Sequence, residues 1–341
     1  MISQNTITIP GLDLPASRVA LGTWAIGGWM WGGPDDDNAV RTIHRALDEG
    51  INLIDTAPVY GFGHSEEVIG RALEGRRDKV LIATKVGLNW KDDKPFRDSR
   101  PARIRQEIEE SLLRLKTDYI DIYQVHWPDD ATPIAETAAT LSELVKEGKV
   151  KALGVSNYSV AQMEVFRQHA PLAVVQPPYN LFERSIEQDI LPYMVKHGLV
   201  GLGYGPLCRG LLAGKMTPQT TFPSTDLRSA DPKFQPPRFQ HYLEAVAQLR
   251  SLAEKNGKSV MVLAIRWVLD QGPFVALWGA RKPAQIEGVS DVFGWHLSDE
   301  DRAEIDRILK NTIPDPVGPE FMHRPTVKEC SVCANGACHA T

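Results

Sequence analysis

Four side chains that could transfer protons stand at or near the ends of apolar segments. Asp55, Lys85 and His126 each end such a segment, and Tyr60 follows Asp55 by five residues. Burying an ionised group is costly unless it is paired and hydrogen-bonded. We therefore expect Asp55 and Lys85 to form an ion pair.

This set of residue types suits acid–base chemistry on a carbonyl group. A tyrosine of ordinary pKa, near ~10, is a poor proton donor or acceptor at neutral pH, but an adjacent ammonium favours the phenolate. We predict that Lys85 lowers the pKa of Tyr60 and that Asp55 orients Lys85. With His126 as a neutral hydrogen-bond donor, the set could protonate a carbonyl oxygen as a hydride arrives. The alternative is a structural ion pair beside a core histidine, which the convergence of all four residues disfavours.

Eight short apolar, β-branched segments alternate with amphipathic helices and could position these residues. Segments that are apolar on both faces suit strands buried on both sides. Helices are predicted at 104–115 and at 134–147, the second opened by Thr132-Pro133 and closed by Gly148. Eight parallel strands favour a closed (β/α)8 TIM barrel over an open sheet. The predicted strands are 20–24, 51–55, 80–85, 120–126, 151–156, 173–176, 199–204 and 274–278.

Strands two, three and four carry Asp55, Lys85 and His126 at their carboxyl ends. Consecutive strands are neighbours in a barrel, about 4.8 Å apart. The three side chains should therefore meet at one rim, with Tyr60 in the loop above it. In barrel enzymes this rim holds the active site.

Two segments lie outside a minimal barrel. Segment 7–19 contains a Pro10-Gly11 turn and is predicted to form a hairpin that closes the bottom of the barrel. Segment 208–240, rich in proline, follows strand seven and is predicted to be a lid loop. We expect one domain over residues 1–322 and a disordered, Cys-rich tail over 323–341.

Composition excludes several classes of partner. The 341 residues carry 38 Lys and Arg against 43 Asp and Glu, a net charge of −5. Because the sequence has no basic block, nucleic acid and anionic membranes are not expected as partners. A small-molecule substrate is expected instead. The sequence shows neither a basic leader with an apolar run nor 18 uninterrupted apolar residues, so a cytoplasmic location is expected. The composition leaves the oligomeric state open.

The tail contains metal-binding residue types in Cys330, Cys333, Cys338 and His339. Their spacing is compatible with zinc on paper, but little apolar sequence surrounds them to pack around a metal. A reduced tail without a metal site is therefore the prediction.

Several segments together resemble the aldo-keto reductase family. The resemblance implies a barrel oxidoreductase in which Tyr60 is the general acid/base, Lys85 and Asp55 tune it, and His126 orients and polarises the carbonyl. Segments 27–33 and 277–283 are similar, more narrowly, to bacterial NADPH-dependent glycerol or polyol dehydrogenases. The segments that carry the family resemblance are 52–61, 82–87, 119–128, 154–158, 176–180 and 205–215.

The sequence contains no G-x-G-x-x-G motif opening a helix, so no Rossmann domain is expected. In barrel enzymes the loops after strands seven and eight often hold phosphate. The resemblance implies NADP(H) bound there, with Tyr204 stacked on the nicotinamide and Gln285 facing the adenine. Arg281 and Lys282 suit a 2′-phosphate, with solvated surface cations as the alternative. The residues assigned to the cofactor in this way are Thr23, Trp24, Ser156, Asn157, Gln176, Tyr204, Gly205, Leu207, Arg209, Gly210, Gly279, Ala280, Arg281, Lys282 and Gln285.

Tryptophans cluster near the predicted strand ends. This pattern predicts an aromatic-walled pocket for small aldehydes, ketones or polyols. Trp267 and Trp295 are expected in the core instead. The pocket tryptophans are Trp24, Trp29, Trp31, Trp90 and Trp127.

Two other functions on the same fold stay open. The chain could be a cofactor-binding regulatory subunit, similar to the β-subunits of potassium channels that resemble this family. Alternatively, Lys85 could form a Schiff base, as in an aldolase.

Overall fold

The computed structural model describes residues 5–322, and at its centre is a closed barrel of eight parallel strands. Each strand pairs with its neighbours in the sequence, and the eighth pairs with the first. The predicted (β/α)8 barrel is confirmed. The strands are β1 (Val19–Gly22), β2 (Leu53–Asp55), β3 (Leu81–Val86), β4 (Ile120–Val125), β5 (Val150–Ser156), β6 (Val174–Gln176), β7 (Val200–Gly203) and β8 (Phe274–Gly279).

Helices follow the strands around the outside of the barrel. Two of them lie between β7 and β8, and one follows β8. The second predicted helix begins after Pro133, whose side chain has no hydrogen-bonding group and so cannot cap it. The hydroxyl of the preceding Thr132 donates to Asp129 at 2.7 Å. The helices of the described chain are α1 (Asp36–Asp48), α2 (His64–Ala72), α3 (Pro101–Leu115), α4 (Ile134–Lys146), α5 (Val160–Arg167), α6 (Ile190–His197), α7 (Arg238–Lys255), α8 (Val260–Asp270) and α9 (Asp299–Thr312).

The barrel interior is closed at its amino end by the predicted hairpin. Thr6–Ile7 pairs antiparallel with Ala16–Ser17, and Ile9 is fully buried with the inward-facing residues of the strands. At the turn, Gly11 has φ +91, and a Cβ there would lie 2.8 Å from the backbone oxygen of Lys151. The hairpin therefore sits directly against the start of β5. This closure leaves the carboxyl end as the open end of the barrel.

The long loop after β7 crosses the open end, as predicted. It contains three short 3₁₀ turns, Cys208–Ala213, Leu227–Ser229 and Pro232–Phe234. The Leu227 N–H donates to the carbonyl oxygen of Met30 at 3.2 Å. The lid loop is thereby joined to the loop after β1.

A second hairpin, formed by Leu88–Lys91 and Lys94–Arg97, follows β3 and was not predicted. It stands beside the open end and carries Trp90 and Arg97. Within residues 5–322, no helix combines the length and the apolar character that crossing a bilayer requires. The predicted tail, with Cys330, Cys333, Cys338 and His339, lies outside the described residues.

Candidate active site

Asp55 and Lys85 form the predicted ion pair at the carboxyl end of the barrel. Asp55 is the last residue of β2 and Lys85 the penultimate residue of β3, and both are buried. The Lys85 Nζ donates to Asp55 Oδ2 at 2.8 Å, to Asp55 Oδ1 at 3.0 Å and to the Thr56 carbonyl at 2.8 Å. Burial lowers the pKa of Lys85, and Asp55 opposes that shift. The Asp55 carboxylate therefore balances the charge of Lys85, and the Thr56 carbonyl accepts a further hydrogen bond from the ammonium.

The remaining hydrogen bond of Lys85 reaches the phenol of Tyr60, at 3.3 Å. An ammonium has donors only, so the phenol oxygen accepts this bond and its own proton stays available for another acceptor. Burial, and then Asp55, raise the pKa of Tyr60 well above its ordinary value. The predicted lowering by Lys85 is therefore wrong for this form of the protein: Asp55 cancels the ammonium charge. Tyr60 is a neutral phenol at physiological pH.

His126 directly follows β4 and completes the predicted group of four. Its ring lies 5.8 Å from the ring of Tyr60, edge to face. Burial, and then Lys85, lower its pKa well below the ordinary value, so the imidazole is neutral at pH 7. Its Nδ1 is buried and has no hydrogen-bond partner among residues 5–322. A neutral imidazole keeps one N–H that can donate to a ligand oxygen.

Two glutamine amides support this group. Gln176, at the end of β6, donates from Nε2 to Asp55 Oδ1 at 2.8 Å and to Gln124 Oε1 at 3.3 Å. Gln124 Nε2 lies 3.5 Å from the same carboxylate oxygen. Gln124 was not predicted as a site residue; an amide inside the apolar segment of β4 is unusual, but the strand register is what places it beside Asp55.

Ser156, Asn157 and Tyr204 form a second chain of bonds on the same rim. The Ser156 hydroxyl donates to the Gln176 backbone oxygen at 2.8 Å. Asn157 Nδ2 donates to the His126 backbone oxygen, and the Tyr204 hydroxyl donates to Asn157 Oδ1, each at 3.0 Å. The structure thus brings these predicted cofactor residues next to the tetrad of Asp55, Tyr60, Lys85 and His126.

A cavity of about 650 Å³ opens from this rim and extends under the lid loop to the loop after β8. All but one of the predicted cofactor residues line it. The exception is Lys282, which is exposed at the start of the 3₁₀ turn Pro283–Gln285 and does not line the cavity. The predicted cofactor residues that line it are Thr23, Trp24, Ser156, Asn157, Gln176, Tyr204, Gly205, Leu207, Arg209, Gly210, Gly279, Ala280, Arg281 and Gln285.

Arg209 is not the free cation that phosphate binding would suggest. Its guanidinium is buried and paired with Glu183 and Asp231. Lys233 joins the same network, 2.8 Å from Glu183. These carboxylates balance the charge of Arg209 within the protein, although the residue still lines the cavity.

Arg281 and Gln285 are also engaged with the protein. Arg281 donates to the Trp31 carbonyl. Gln285 Oε1 accepts from the backbone N–H groups of Arg281 and Lys282, at 2.9 and 3.0 Å, so its amide caps this turn. Only the amide nitrogen of Gln285 remains available for the predicted adenine contact.

Four of the five predicted pocket tryptophans, Trp24, Trp29, Trp31 and Trp127, line the cavity. Trp90 does not. It lies on the second hairpin, where its ring is 5.7 Å from that of Phe62. Arg97 on the same hairpin lines the cavity and was not predicted, although the alternating Leu88–Lys91 segment before Asp92-Asp93 was a usable signal for the hairpin.

Trp267 and Trp295 were expected in the core. Trp267 is buried, whereas Trp295 is half-buried and packs against the core from outside.

The residues present fit a dinucleotide. Trp24 Nε1 and Trp31 Nε1 are buried donors without a partner in the described chain. Lys215, Arg228 and Arg281 place cations along the lid side of the cavity. No heavy atom lies within 4 Å of a Cβ built on Gly205 or Gly279, so the floor there is open. A long, partly anionic ligand with ring systems matches this combination of donors, cations and space.

Comparisons with known proteins identify the family. A model of the Aldo/keto reductase family matches residues 18–310. The chain therefore belongs to this family, and it is an oxidoreductase. The resemblance seen in the sequence is confirmed.

Two curated relatives are similar over most of their length. "Aldo-keto reductase YhdN" of Bacillus subtilis is 57% identical over 326 residues, covering 94% of this chain and 98% of its own. The "NADH-specific methylglyoxal reductase" of Escherichia coli is 36% identical and covers 85% of this chain and 93% of its own.

Solved structures agree with the fold. The glycerol dehydrogenase AKR11B4 from Gluconobacter oxydans is 64% identical, with a TM-score of 0.88 over 94% of this chain and all of its own. An aldo-keto reductase from Klebsiella pneumoniae, solved in complex with NADPH, is 28% identical, with a TM-score of 0.71 over 90% of this chain and 95% of its own. Relatives thus include one named for NADH and one solved with NADPH.

Proposed function

We propose that this protein transfers hydride between NADP(H) and small aldehydes or ketones, or the corresponding alcohols and polyols. Tyr60 is the proton donor in reduction and the acceptor in oxidation. The observation that carries the proposal is the bond from Lys85 to the Tyr60 oxygen, at the base of a cavity of about 650 Å³. This bond leaves the phenol proton for a ligand.

Proton transfer from Tyr60 follows from these contacts. When bound, the nicotinamide supplies the hydride that adds to the carbonyl carbon. The Tyr60 O–H bond breaks, its proton joins the carbonyl oxygen, and the phenolate left behind accepts from Lys85. Asp55 keeps Lys85 protonated and in place for this step.

His126 orients the carbonyl group. Its neutral ring stands edge-on to Tyr60 and lines the cavity. A donor from the imidazole and one from the phenol can both point at one ligand oxygen, which stabilises the charge that develops there. Burial keeps the imidazole in the neutral form that this role needs.

The walls near Tyr60 favour a small substrate with hydroxyl groups. Trp24, Trp29 and Trp127 supply flat apolar surface, and Arg97 adds a cation beside Trp127, 5.4 Å from its ring. Support comes from the structural relative that is 64% identical and named a glycerol dehydrogenase. A polyol or hydroxyaldehyde combines the apolar faces and the oxygen acceptors that such walls can bind.

The position of Arg281 is the reason for proposing NADP(H) rather than NAD(H) as the cofactor. This cation lines the cavity in the loop after β8, where a 2′-phosphate would add a bidentate acceptor. The relative solved with NADPH supports this choice, and the relative named for NADH shows that members differ in it.

Replacing Tyr60 tests the proposed function directly. Tyr60→Phe should lower the rate of aldehyde-dependent NADPH consumption by roughly 10³-fold or more while dinucleotide binding stays within about 2-fold, because only the transferable proton is lost. Tyr123→Phe is the matched control, since the Tyr123 hydroxyl is buried on the outer side of the barrel without a partner in the described chain. Steady-state turnover and dinucleotide titration measure both effects. Full turnover by Tyr60→Phe would overturn the role of the phenol.

The two alternative functions predict different outcomes. A regulatory subunit would consume NADPH for about one turnover instead of many. A Schiff-base lysine would give a borohydride-stable adduct on Lys85. The three N–H groups of Lys85 all meet protein acceptors, which disfavours attack by its amine. The cytoplasmic location and the division into a domain at 1–322 and a tail at 323–341 stay predictions.

A further inference from the structure

Arg97 brings a positive charge to the cavity from the side that carries His126. It ends the second strand of the hairpin after β3, and its guanidinium lies 5.4 Å from the centre of the Trp127 ring. Trp127 directly follows His126 in the chain, and all three residues line the cavity. Within residues 5–322, the other cations that line the cavity belong to the loops after β7 and β8 and are Arg209, Lys215, Arg228 and Arg281. Arg97 is therefore the cation on the side where the carbonyl compound reacts.

The protein holds the Arg97 guanidinium in place without balancing its charge closely. Arg97 Nη1 donates to the carbonyl oxygen of Pro128 at 3.0 Å. The one carboxylate of the described chain within 4 Å is that of Asp130, which lies 3.9 Å from Nη1 and is 59% exposed. An ion pair this long and this exposed contributes little. The Nε and Nη2 groups of Arg97 have no hydrogen-bond partner within residues 5–322, so both can donate to a ligand.

Arg209 shows how the same cavity treats a cation that serves the fold. Its side chain is 5% exposed and is paired with two buried carboxylates, those of Glu183 and Asp231. The Arg97 side chain is also shielded, at 19% exposed, but has no buried carboxylate beside it. A shielded charge is costly unless it is paired. Arg97 therefore offers an anion from outside the protein a charge that the fold leaves largely unpaired.

An anionic group matches this guanidinium better than a neutral hydroxyl does. Two oxygens of a carboxylate or a phosphate can accept from Nε and Nη2 together, and their charge balances that of Arg97. A hydroxyl accepts a hydrogen bond but leaves the charge unbalanced. Leu88, Pro95 and Trp127 line the cavity beside Arg97, and such side chains provide apolar surface for the carbon atoms of a ligand.

We propose that Arg97 is a specificity-determining residue that selects small aldehydes and ketones carrying a carboxylate or phosphate group away from the carbonyl. The anionic group accepts from Nε and Nη2 of Arg97, while the carbonyl oxygen accepts from Tyr60 and His126. This inference rests on the proposed function, because it names the substrate class of the same site.

The test compares two pairs of aldehydes whose members differ in the anionic group. One pair is 4-oxobutanoate and butanal, and the other is glyceraldehyde 3-phosphate and glyceraldehyde. For the wild-type protein with NADPH, kcat/KM should be about 10-fold or more higher for the anionic member of at least one pair, because charge-assisted hydrogen bonds are the stronger ones. A preference in one pair alone supports the inference and identifies the carboxylate or the phosphate as the group that is bound.

Variants on the same hairpin assign the preference to Arg97. In Arg97→Met the ratio of the two kcat/KM values should fall to about 1 to 2, mainly through a higher KM for the anionic aldehyde, because the lost contact is remote from the reacting carbonyl. Arg97→Lys keeps the charge but not the paired donors, so its ratio should be lower than that of the wild type by roughly 3-fold. This variant also provides the test if Arg97→Met fails to fold.

Lys94→Met is the matched control for these variants. Lys94 begins the strand that Arg97 ends, is exposed, and does not line the cavity, so Lys94→Met removes one positive charge from the hairpin without removing the contact. Its ratio should equal that of the wild type. A ratio that falls as far in Lys94→Met as in Arg97→Met would show that net charge, and not contact with Arg97, produces the preference, and would overturn the inference.

The remaining outcomes separate this inference from the proposed function. A wild-type protein that reduces the anionic and neutral members of both pairs equally well would overturn the role of Arg97 and leave the proposed function intact. An Arg97→Met protein that keeps the wild-type preference would do the same. Failure of the wild-type protein to reduce any of the four aldehydes with NADPH would overturn the proposed function, and this inference with it.

Discussion

At the tetrad end of the cavity, formed by Asp55, Tyr60, Lys85 and His126, the ionised groups are already paired with each other. At the lid end, formed by Arg209, Arg228 and Arg281, the cations are held by protein groups that take no part in proton transfer. Arg209 is bound by Glu183 and Asp231, Arg228 by Asp226 at 2.7 Å, and Arg281 by the Trp31 carbonyl.

The elements that carry the two ends explain the difference. Asp55 and Lys85 project from neighbouring strands, and His126 directly follows another, so the barrel fixes their directions before any ligand arrives. Arg228 lies in the lid loop and Arg281 in the loop after β8, both outside the barrel strands. The barrel strands thus fix the tetrad, whereas loop contacts hold the cations at the lid end.

The largest effect on stability and turnover is expected from removing the Lys85 ammonium at the tetrad end. Lys85→Met leaves the Asp55 charge buried without a cation, so the free energy of unfolding should fall by about 3–5 kcal/mol. Turnover should fall by roughly 10²- to 10⁴-fold, because the phenolate loses its donor. Denaturant unfolding and steady-state kinetics measure both losses.

A double variant is the control for Lys85. Asp55→Asn combined with Lys85→Met removes both charges and should recover much of the stability without recovering turnover. Turnover by Lys85→Met at the wild-type rate would show that the ion pair is not part of the chemistry.

Breaking the buried network at the lid end should change stability more than binding. Arg209→Met leaves Glu183 and Asp231 sharing the single cation of Lys233, so unfolding should become easier by about 3–5 kcal/mol. The dissociation constant for NADPH should change by less than about 3-fold, since Arg209 is already neutralised. Thermal or denaturant unfolding without ligand, together with a dinucleotide titration, tests this. A loss of NADPH affinity beyond roughly 10-fold at unchanged stability would restore the phosphate-binding role.

The difference between residues at the barrel strands and residues outside them also decides what could be predicted from the sequence. Asp55, Lys85, His126 and Gln176 lie at or next to the carboxyl ends of buried strands, where the alternation of side chains along the strand limits the direction in which they point. Trp90 lies on the hairpin after β3 and Lys282 in the loop after β8, and the direction of both side chains depends on tertiary contacts outside the barrel strands. Their predicted positions in the cavity wall were therefore wrong.

Two features of the tetrad itself also required coordinates. The direction of the Tyr60 pKa depends on how far Asp55 cancels the charge of Lys85, which is a matter of distances and burial. Gln124 stands inside an apolar segment, and only the register of β3, β4 and β5 shows that it faces the tetrad. The first strand of the hairpin that carries Arg97 alternates as Leu-Asn-Trp-Lys and leads into the turn Asp92-Asp93, so the sequence held a signal for this hairpin that was not used.

A smaller effect is expected from Arg281, the lid-end cation that donates to the Trp31 carbonyl. Arg281→Met should raise the dissociation constant for NADPH by about 10-fold and that for NADH by less than about 2-fold, because only a 2′-phosphate uses the guanidinium fully. Lys282→Met is the matched control, since Lys282 is exposed and does not line the cavity; it should change either constant by less than about 3-fold. Equal losses for both dinucleotides in Arg281→Met would show that this arginine does not distinguish them.

The pH dependence of the two reaction directions tests the central claim about Tyr60 most directly. Burial and Asp55 hold the pKa of Tyr60 well above 10, and burial holds the pKa of His126 below 6.5. With the phenol protonated and the imidazole neutral, aldehyde reduction at saturating substrate should be constant from about pH 6 to about pH 9. Alcohol oxidation needs the phenolate, so its rate should rise by about tenfold per pH unit over the same range. A reduction rate that instead falls with an apparent pKa of about 7 to 8 would mean that Tyr60 ionises in that range. This result would contradict the claim that Asp55 balances the charge of the Lys85 ammonium and leaves Tyr60 protonated.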